Sequence, residues 1–169
     1  MTEFLSEENI AMHKEYIRQK HLKYSIIESY LPTIRGLGVR DILSLRLDKR
    51  DRGDILALLP EIVLHNIYFS SFAEKRNSRS DILVDMYGSE AAYLNRLYRL
   101  AESATQGFLV IEDARNASVI TDYKQAFFRT EPILSVDLCE HAYFPDYGFD
   151  RDMYIISCLS YLDLSKIQK

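Results

Sequence analysis

The sequence predicts an α+β fold in which helices come first and a small sheet flanked by helices follows. Residues 5–31 carry apolar or aromatic side chains at a spacing close to the 3.6-residue period of a helix. Short runs typical of β-strands then occur at 108–111, 118–121 and 133–137. A helical pattern returns from Tyr147 onward. This order of elements is typical of the α+β class.

The N-terminal part of the chain predicts two long helices. The first begins at Ser6, a favourable N-cap, and its pattern stops near Pro32. The charged stretch 48–54 is predicted to be a connection. The second helix is predicted over about 54–73, and Pro60 is expected to kink it or to begin it anew.

The polar segment 74–81 is the best candidate for a connection between two lobes. We therefore predict an N-terminal helical domain over residues 1–78 and a C-terminal α/β domain over residues 79–169. A third helix is predicted to follow Ser89 as its cap and to run through Ala101.

Composition and charge exclude several functions. The net charge is −4, which argues against a nucleic-acid binder built on a basic surface. No stretch approaches the roughly 18 apolar residues that a membrane-spanning helix needs. Residues 1–9 lack the basic and then apolar layout of a signal peptide. We therefore expect a cytoplasmic protein with neither membrane nor nucleic-acid partners.

The chain has only four histidines, and each could serve either a structural or a chemical role. Asp137 and His141 are four residues apart, so a helical turn would place both on one face. His65 lies in an apolar helix, where an imidazole needs a hydrogen-bond partner or a metal. His13 and His21 are eight residues apart on the first helix and project from roughly the same side.

Taken singly, these residues are also explained by a helix cap, a hydrogen-bonded core histidine or surface histidines. Taken together, three histidines and one aspartate from three separate elements would form a mononuclear site. Such a mixture of imidazole and carboxylate ligands suits iron, manganese or zinc.

Four segments resemble the iron/manganese superoxide dismutases. Residues 137–147 (DLCEHAYFPDY) resemble the family signature D-x-W-E-H-A-Y, which is followed by an aromatic residue and D-Y. Residues 64–69 (LHNIYF) are similar to the family's N-H-x-x-Y-W. Residues 5–13 are similar to the start of its first helix, and residues 86–110 to the stretch that opens its second lobe. The matches occur in order along nearly the whole chain.

The resemblance implies a two-lobe fold, with an N-terminal helical hairpin and a C-terminal lobe that contains a three-stranded antiparallel sheet and helices. It also implies one iron or manganese ion per subunit, bound by His13, His65, Asp137 and His141. The activity implied is the conversion of superoxide to dioxygen and hydrogen peroxide, as the metal alternates between the +3 and +2 states.

The positions that surround the metal in the family depart from its pattern. His21 stands where the family has a tyrosine that gates the substrate pocket, eight residues after the first ligand. Glu61 stands where the iron-type enzymes have a glutamine bonded to the metal-bound solvent, and it could also bind the metal directly. Manganese-type enzymes bring a glutamine from the sheet lobe, and Gln125 is the candidate here. We predict that His21, Glu61 and Tyr143 assist catalysis.

The tryptophans that wall the site in the family are all replaced, since the chain has none. Their positions hold Cys139, Phe69 and Phe108. Phenylalanine keeps an apolar wall, whereas cysteine is small and leaves space or invites oxidation. An inert buried thiol is the favoured interpretation of Cys139.

The resemblance also implies a homodimer. In the family, the Glu of E-H-A-Y binds the metal-bound histidine of the other subunit, and Glu140 and His141 are kept. The tyrosine of that motif, here Tyr143, pairs with a first-helix histidine that is Ile17 in this chain. We therefore expect a homodimer with a changed interface.

The leading hypothesis is a superoxide dismutase-like metalloprotein. The altered surroundings of the site motivate an alternative, in which the chain is an inactive or repurposed metal-binding protein on the same fold. A third hypothesis is a different redox or hydrolytic use of the site, because a carboxylate-enriched site would also suit non-haem iron chemistry.

Overall fold

A computed structural model describes residues 4–74, 80–125 and 130–167, and it confirms the α+β class. Helices fill the first half, and a three-stranded antiparallel sheet lies between helices in the second half. The helices are α1 (Glu7–Tyr30), α2 (Val39–Ser44), α3 (Lys49–Leu56), α4 (Leu59–Ser70), α5 (Asp81–Tyr87), α6 (Glu90–Glu102), α7 (Glu140–Tyr147) and α8 (Arg151–Tyr161). The strands are β1 (Phe108–Ile111), β2 (Ala117–Ile120) and β3 (Leu134–Asp137). Short 3-10 helices cover Pro32–Ile34, Tyr123–Gln125 and Leu164–Lys166.

Helix α1 forms where the apolar spacing predicts it. The Ser6 hydroxyl accepts a hydrogen bond from the backbone N–H of Asn9 at 3.1 Å, which confirms Ser6 as the N-cap. The helix ends at Tyr30, just before Pro32. Among the helices of the described residues, none combines the length and the apolar character that crossing a bilayer requires.

The charged stretch 48–54 is helical, so the prediction of a connection there is wrong. The Asp48 carboxylate accepts a hydrogen bond from the backbone N–H of Asp51 at 2.8 Å and caps α3. This cap satisfies one of the free N–H groups of the first turn and therefore favours a helix that begins here. Helix α4 begins separately at Leu59, and Pro60 lies in its first turn, as proline tolerates.

The sheet has the order β2-β1-β3, and its alternation decides which side chains face the helices. On β1, Leu109 and Ile111 join the apolar cluster of the C-terminal elements. Phe108 and Val110 point to the other face and join the cluster of the N-terminal helices. Because Phe108 pairs directly with Asp137 on β3, Asp137 also lies on the face covered by the N-terminal helices.

Strand β3 is bonded to α4 across this face. The Ser135 hydroxyl donates to the carbonyl oxygen of Leu64 at 2.7 Å, and the backbone N–H of Ser135 donates to the Ser71 hydroxyl at 2.8 Å. Residues 75–79, which include the predicted boundary between 78 and 79, lie outside the described residues. The division into two domains therefore stays a prediction.

Candidate metal centre

The structure brings together the four residues predicted to bind a metal. One ligand atom from each of His13, His65, Asp137 and His141 lies within 4.8 Å of the other three. The Nε2 atoms of His13, His65 and His141 lie 3.1, 3.2 and 2.9 Å from Oδ2 of Asp137. The four side chains therefore converge on one point from α1, α4, the end of β3 and the first turn of α7.

The four ligands differ in how far their side chains are exposed to solvent. The side chains of His13, His65 and Asp137 are at most 1% exposed, whereas that of His141 is 29% exposed. A molecule from solvent therefore reaches the cluster on the side of His141.

The hydrogen bonds of His65 test whether the cluster fits a cation. Its Nδ1 lies 2.8 Å from the backbone carbonyl oxygen of Glu61, which can only accept, so Nδ1 carries a proton. In the neutral ring, Nε2 then presents a lone pair to Asp137 Oδ2 at 3.2 Å, and it also lies 3.4 Å from Nε2 of His141. Lone pairs that face one another at these distances repel, and a shared metal ion removes the repulsion. The donor set fits iron, manganese or zinc.

The protonation states also favour metal binding. Burial lowers the pKa of His13, and the hydrogen bond with Asp137 only partly offsets this effect. Burial by itself would raise the pKa of Asp137, but the three histidine rings that face its carboxylate outweigh this effect and hold that pKa well below its usual range. Near neutral pH, the histidine is neutral and the aspartate is charged, which are the forms that bind a metal.

Hydrogen bonds to Oδ1 and to the backbone carbonyl oxygen of Asp137 hold this residue in place, so that Oδ2 faces the three histidines. Its Oδ1 accepts a hydrogen bond from the backbone N–H of Cys139 at 2.9 Å. The Tyr154 hydroxyl donates to the Asp137 carbonyl oxygen at 2.7 Å and lies 3.2 Å from the Tyr68 hydroxyl. Outer hydrogen bonds of this kind orient metal ligands. In the sequence, Tyr154 belongs to an apolar helical pattern, which does not indicate its hydrogen bond to Asp137.

A second set of bonds joins the helices that carry His13 and His141. The Asp146 carboxylate on α7 accepts from the backbone N–H of Ser6 at 2.9 Å and from the Asn9 side-chain amide at 2.9 Å. The same amide donates to the carbonyl oxygen of Ala142 at 3.1 Å. The N-terminal turn of α1 is thereby held against α7, which brings the two ligands into register.

Aromatic rings surround the ligands where the sequence predicts an apolar wall. The Phe108 ring centroid lies 4.8 Å from that of His65, and the Phe69 centroid lies 5.1 Å from that of His13. Cys139 contributes less apolar surface, and its Sγ lies 3.3 Å from the backbone nitrogen of Gly107. Burial raises the pKa of this thiol to about 12, so it is a neutral thiol near neutral pH.

A cavity of about 810 Å³ opens beside His141. Its lining includes Tyr16, Lys20, Glu61, Tyr123, Cys139 and His141. Tyr16, Lys20 and Tyr123 were not predicted from the sequence. Tyr16 and Lys20 follow His13 by three and seven residues, so the helical period alone places them on its side of α1.

The structure does not place His21 at the cavity, and its role in catalysis stays a prediction. Its side chain is exposed and does not line the cavity. Eight residues correspond to a rotation of about 80° away from His13 around the helix, which turns His21 toward solvent. The structure also places Tyr143 away from the cavity: its side chain packs in the C-terminal core, with its ring centroid 5.4 Å from that of Tyr154. Its role in catalysis stays a prediction.

Glu61 lines the cavity but does not join the four ligands. Its Oε1 accepts a hydrogen bond from the Tyr16 hydroxyl at 2.7 Å, and its Oε2 pairs with Lys20 Nζ at 3.0 Å. Both carboxylate oxygens are therefore bound by other side chains. Gln125 ends a 3-10 helix, and its side chain lies outside the described part of the chain.

Two comparisons with known proteins show what the chain is similar to. The model of the family "Iron/manganese superoxide dismutases, C-terminal domain" matches residues 68–169. Superoxide dismutase (Mn) 1 of Halobacterium salinarum is 25% identical over 111 residues, which cover 60% of this chain and 56% of that relative. The chain thus spans little more than half the length of the relative. From the family match over more than half of its residues, the chain belongs to the iron/manganese superoxide dismutase family.

Proposed function

We propose that this chain binds one iron or manganese ion per subunit and disproportionates superoxide. The observation that carries the proposal is the convergence of three imidazole Nε2 atoms on Asp137 Oδ2, with the tautomer of His65 fixed so that its lone pair points inward. The proposed ligands are His13, His65, Asp137 and His141. They would present one negative charge and three neutral donors to the ion.

The bound ion would supply one-electron chemistry between the +3 and +2 states, by which two superoxide anions and two protons give one dioxygen and one hydrogen peroxide. The protein's own contribution is access and electrostatics. His13 and His65 are buried and exclude water from the rear of the site. Superoxide would approach through the cavity beside His141, the partly exposed ligand.

The ion pair of Glu61 bears directly on the proposed activity. An isolated carboxylate beside the metal would stabilise the higher oxidation state and lower the reduction potential. Here Lys20 Nζ lies 3.0 Å from Glu61 Oε2, so the two charges offset each other. The replacement of the family's glutamine by Glu61 is thus compensated within the same cavity.

The proposed function is tested by loading purified protein with iron or manganese and following superoxide decay after pulse radiolysis. We expect about one ion per chain, and a faster decay than the same concentration of free ion produces. Metal-free protein should have no effect. Stoichiometric metal without acceleration would refute dismutation and leave a metal-binding protein.

We also propose a homodimer that forms around the open side of the site. Glu140 is exposed beside the partly exposed His141, and both line a second, mainly apolar cleft of about 380 Å³. Met12 and Phe144 border this cleft and are 46% and 49% exposed. Exposed apolar residues around two polar side chains are a suitable centre for an interface.

The replacement Phe144→Glu tests this interface. We expect wild-type protein to sediment as a dimer and the variant to shift toward monomer, because a charge would be buried without a partner. Ile26→Glu is the control, since Ile26 is also an exposed apolar helix residue, 62% accessible, but lies elsewhere on α1. A monomeric wild type would exclude the homodimer, and an unchanged Phe144→Glu dimer would place its interface elsewhere.

A further inference from the structure

Tyr16 stands between the four ligands and the cavity. Its ring stacks on that of His141, with centroids 4.3 Å apart and planes inclined by 28°. It lines both the large cavity and the smaller cleft on the other side of His141. Since His141 is the ligand through which the site meets solvent, the Tyr16 ring covers part of the accessible side of the cluster.

The Tyr16 hydroxyl is bound to Glu61, which is in turn paired with Lys20. The hydroxyl donates to Glu61 Oε1 at 2.7 Å, and Glu61 Oε2 pairs with Lys20 Nζ at 3.0 Å. Lys20 lies one turn after Tyr16 on α1, and its Nζ is 5.0 Å from the centroid of the Tyr16 ring. The Glu61 side chain is 4% exposed, so its carboxylate depends on these two partners.

We infer that Tyr16 is the gating residue of this site, and that Glu61, whose charge is paired with Lys20, is the positioning residue that holds its ring against His141. This inference rests on the proposed function, because it concerns access to the same metal. The family resemblance assigns the gate to a tyrosine eight residues after the first ligand, a position that His21 holds on the exposed side of the helix. In this chain the gate lies three residues after His13.

The consequence is selection by size. The Tyr16 ring is in stacking contact with His141, so it covers that ligand and should leave room beside it only for a small anion. Tyr16→Ala would open a space as large as a phenol ring beside His141. An aromatic carboxylate such as benzoate could fill that space and stack on the imidazole, as Tyr16 does.

Cobalt(II)-loaded protein allows a test that does not depend on dismutation. Cobalt binds to the same classes of ligand, and its visible absorption reports a change of coordination when an anion binds. Titration with fluoride and with benzoate gives two affinities, and their ratio is the measurement. In Tyr16→Ala, benzoate should gain about tenfold relative to fluoride, a factor typical of one added apolar contact in a pocket.

A pair of double variants separates positioning from simple packing. Lys20→Met with Glu61→Gln removes both charges but keeps an oxygen that accepts from the Tyr16 hydroxyl, so the ratio should stay within about twofold of wild type. Lys20→Met with Glu61→Leu removes that acceptor, so the ratio should move toward the value of Tyr16→Ala. Thermal unfolding of each variant checks that the fold is retained.

The outcomes distinguish a failure of the proposed metal site from a failure of the gating role of Tyr16. If the protein binds no cobalt, the metal site fails and the inference fails with it. If cobalt binds and the ratio for Tyr16→Ala equals that of wild type, Tyr16 does not gate the site, although the metal site stands. If the two double variants give the same ratio, Glu61 does not position Tyr16.

Discussion

His65→Ala is expected to abolish stoichiometric metal binding. His65 is fully buried, its Nδ1 is fixed by the carbonyl oxygen of Glu61, and its Nε2 points at Asp137 Oδ2. The variant loses one of the four proposed ligands. Metal affinity depends on the identity and number of the ligands, so loss of one of four should lower it strongly. Elemental analysis after dialysis against iron or manganese gives the measurement.

A matched control and a conservative variant complete this experiment. His21→Ala also removes an imidazole, but from the exposed face of α1, and should retain wild-type stoichiometry. His65→Gln keeps a polar side chain of similar length, so a loss of metal there cannot be ascribed to an empty space in the core. If His65→Ala bound metal as wild type does, the proposed site would be refuted.

The ligands could be predicted because the chemistry of a metal site restricts residue type and spacing. Asp137 ends β3 and His141 lies in the first turn of α7, and the connection between the two elements is short. Their separation along the chain therefore already implies proximity. His13 and His65 lie on helices whose apolar periodicity predicts a buried face. The family resemblance was needed to bring these three elements to a single point.

The surroundings of the site could not be predicted in the same way. Tyr16 and Glu61 are 45 residues apart, and their hydrogen bond depends on the packing of α1 against α4. Alignment by position alone assigned the gate to His21, because it counted residues and did not follow their rotation around the helix. Glu61 appeared as an unpaired carboxylate in the sequence, since nothing there shows that Lys20 reaches it.

The helices that were not predicted from the sequence are explained by their local composition and length. The charged stretch 48–54 contains Gly53 and few apolar residues, so its composition is typical of a connection. It is helical because Asp48 caps it and Ile55 anchors it in the core. Helix α5 was not predicted because it has only seven residues, too few for a clear helical pattern. It ends at Gly88, whose φ of +80° separates it from α6.

Gly107→Ala is expected to destabilise the protein strongly. Gly107 precedes β1 with a φ of +107°, where an added Cβ would lie 2.1 Å from the carbonyl oxygen of Ile120. The positive φ alone costs about 1–2 kcal/mol for alanine. The clash adds to this cost, because it involves backbone and can be relieved only by moving β2 away from β1. We expect a total loss of at least about 3 kcal/mol in the free energy of unfolding.

Gly88→Ala isolates the conformational part of this effect. Gly88 also has a positive φ, of +80°, but an added Cβ there would meet no atom within 4 Å. We therefore expect a loss of only about 1–2 kcal/mol, measured for both variants by urea denaturation. Equal losses for the two variants would show that the approach of Gly107 to Ile120 contributes nothing. A larger loss at Gly107 would show that the close approach of its backbone to Ile120 requires glycine. The same turn borders the cavity through Thr121 and Tyr123.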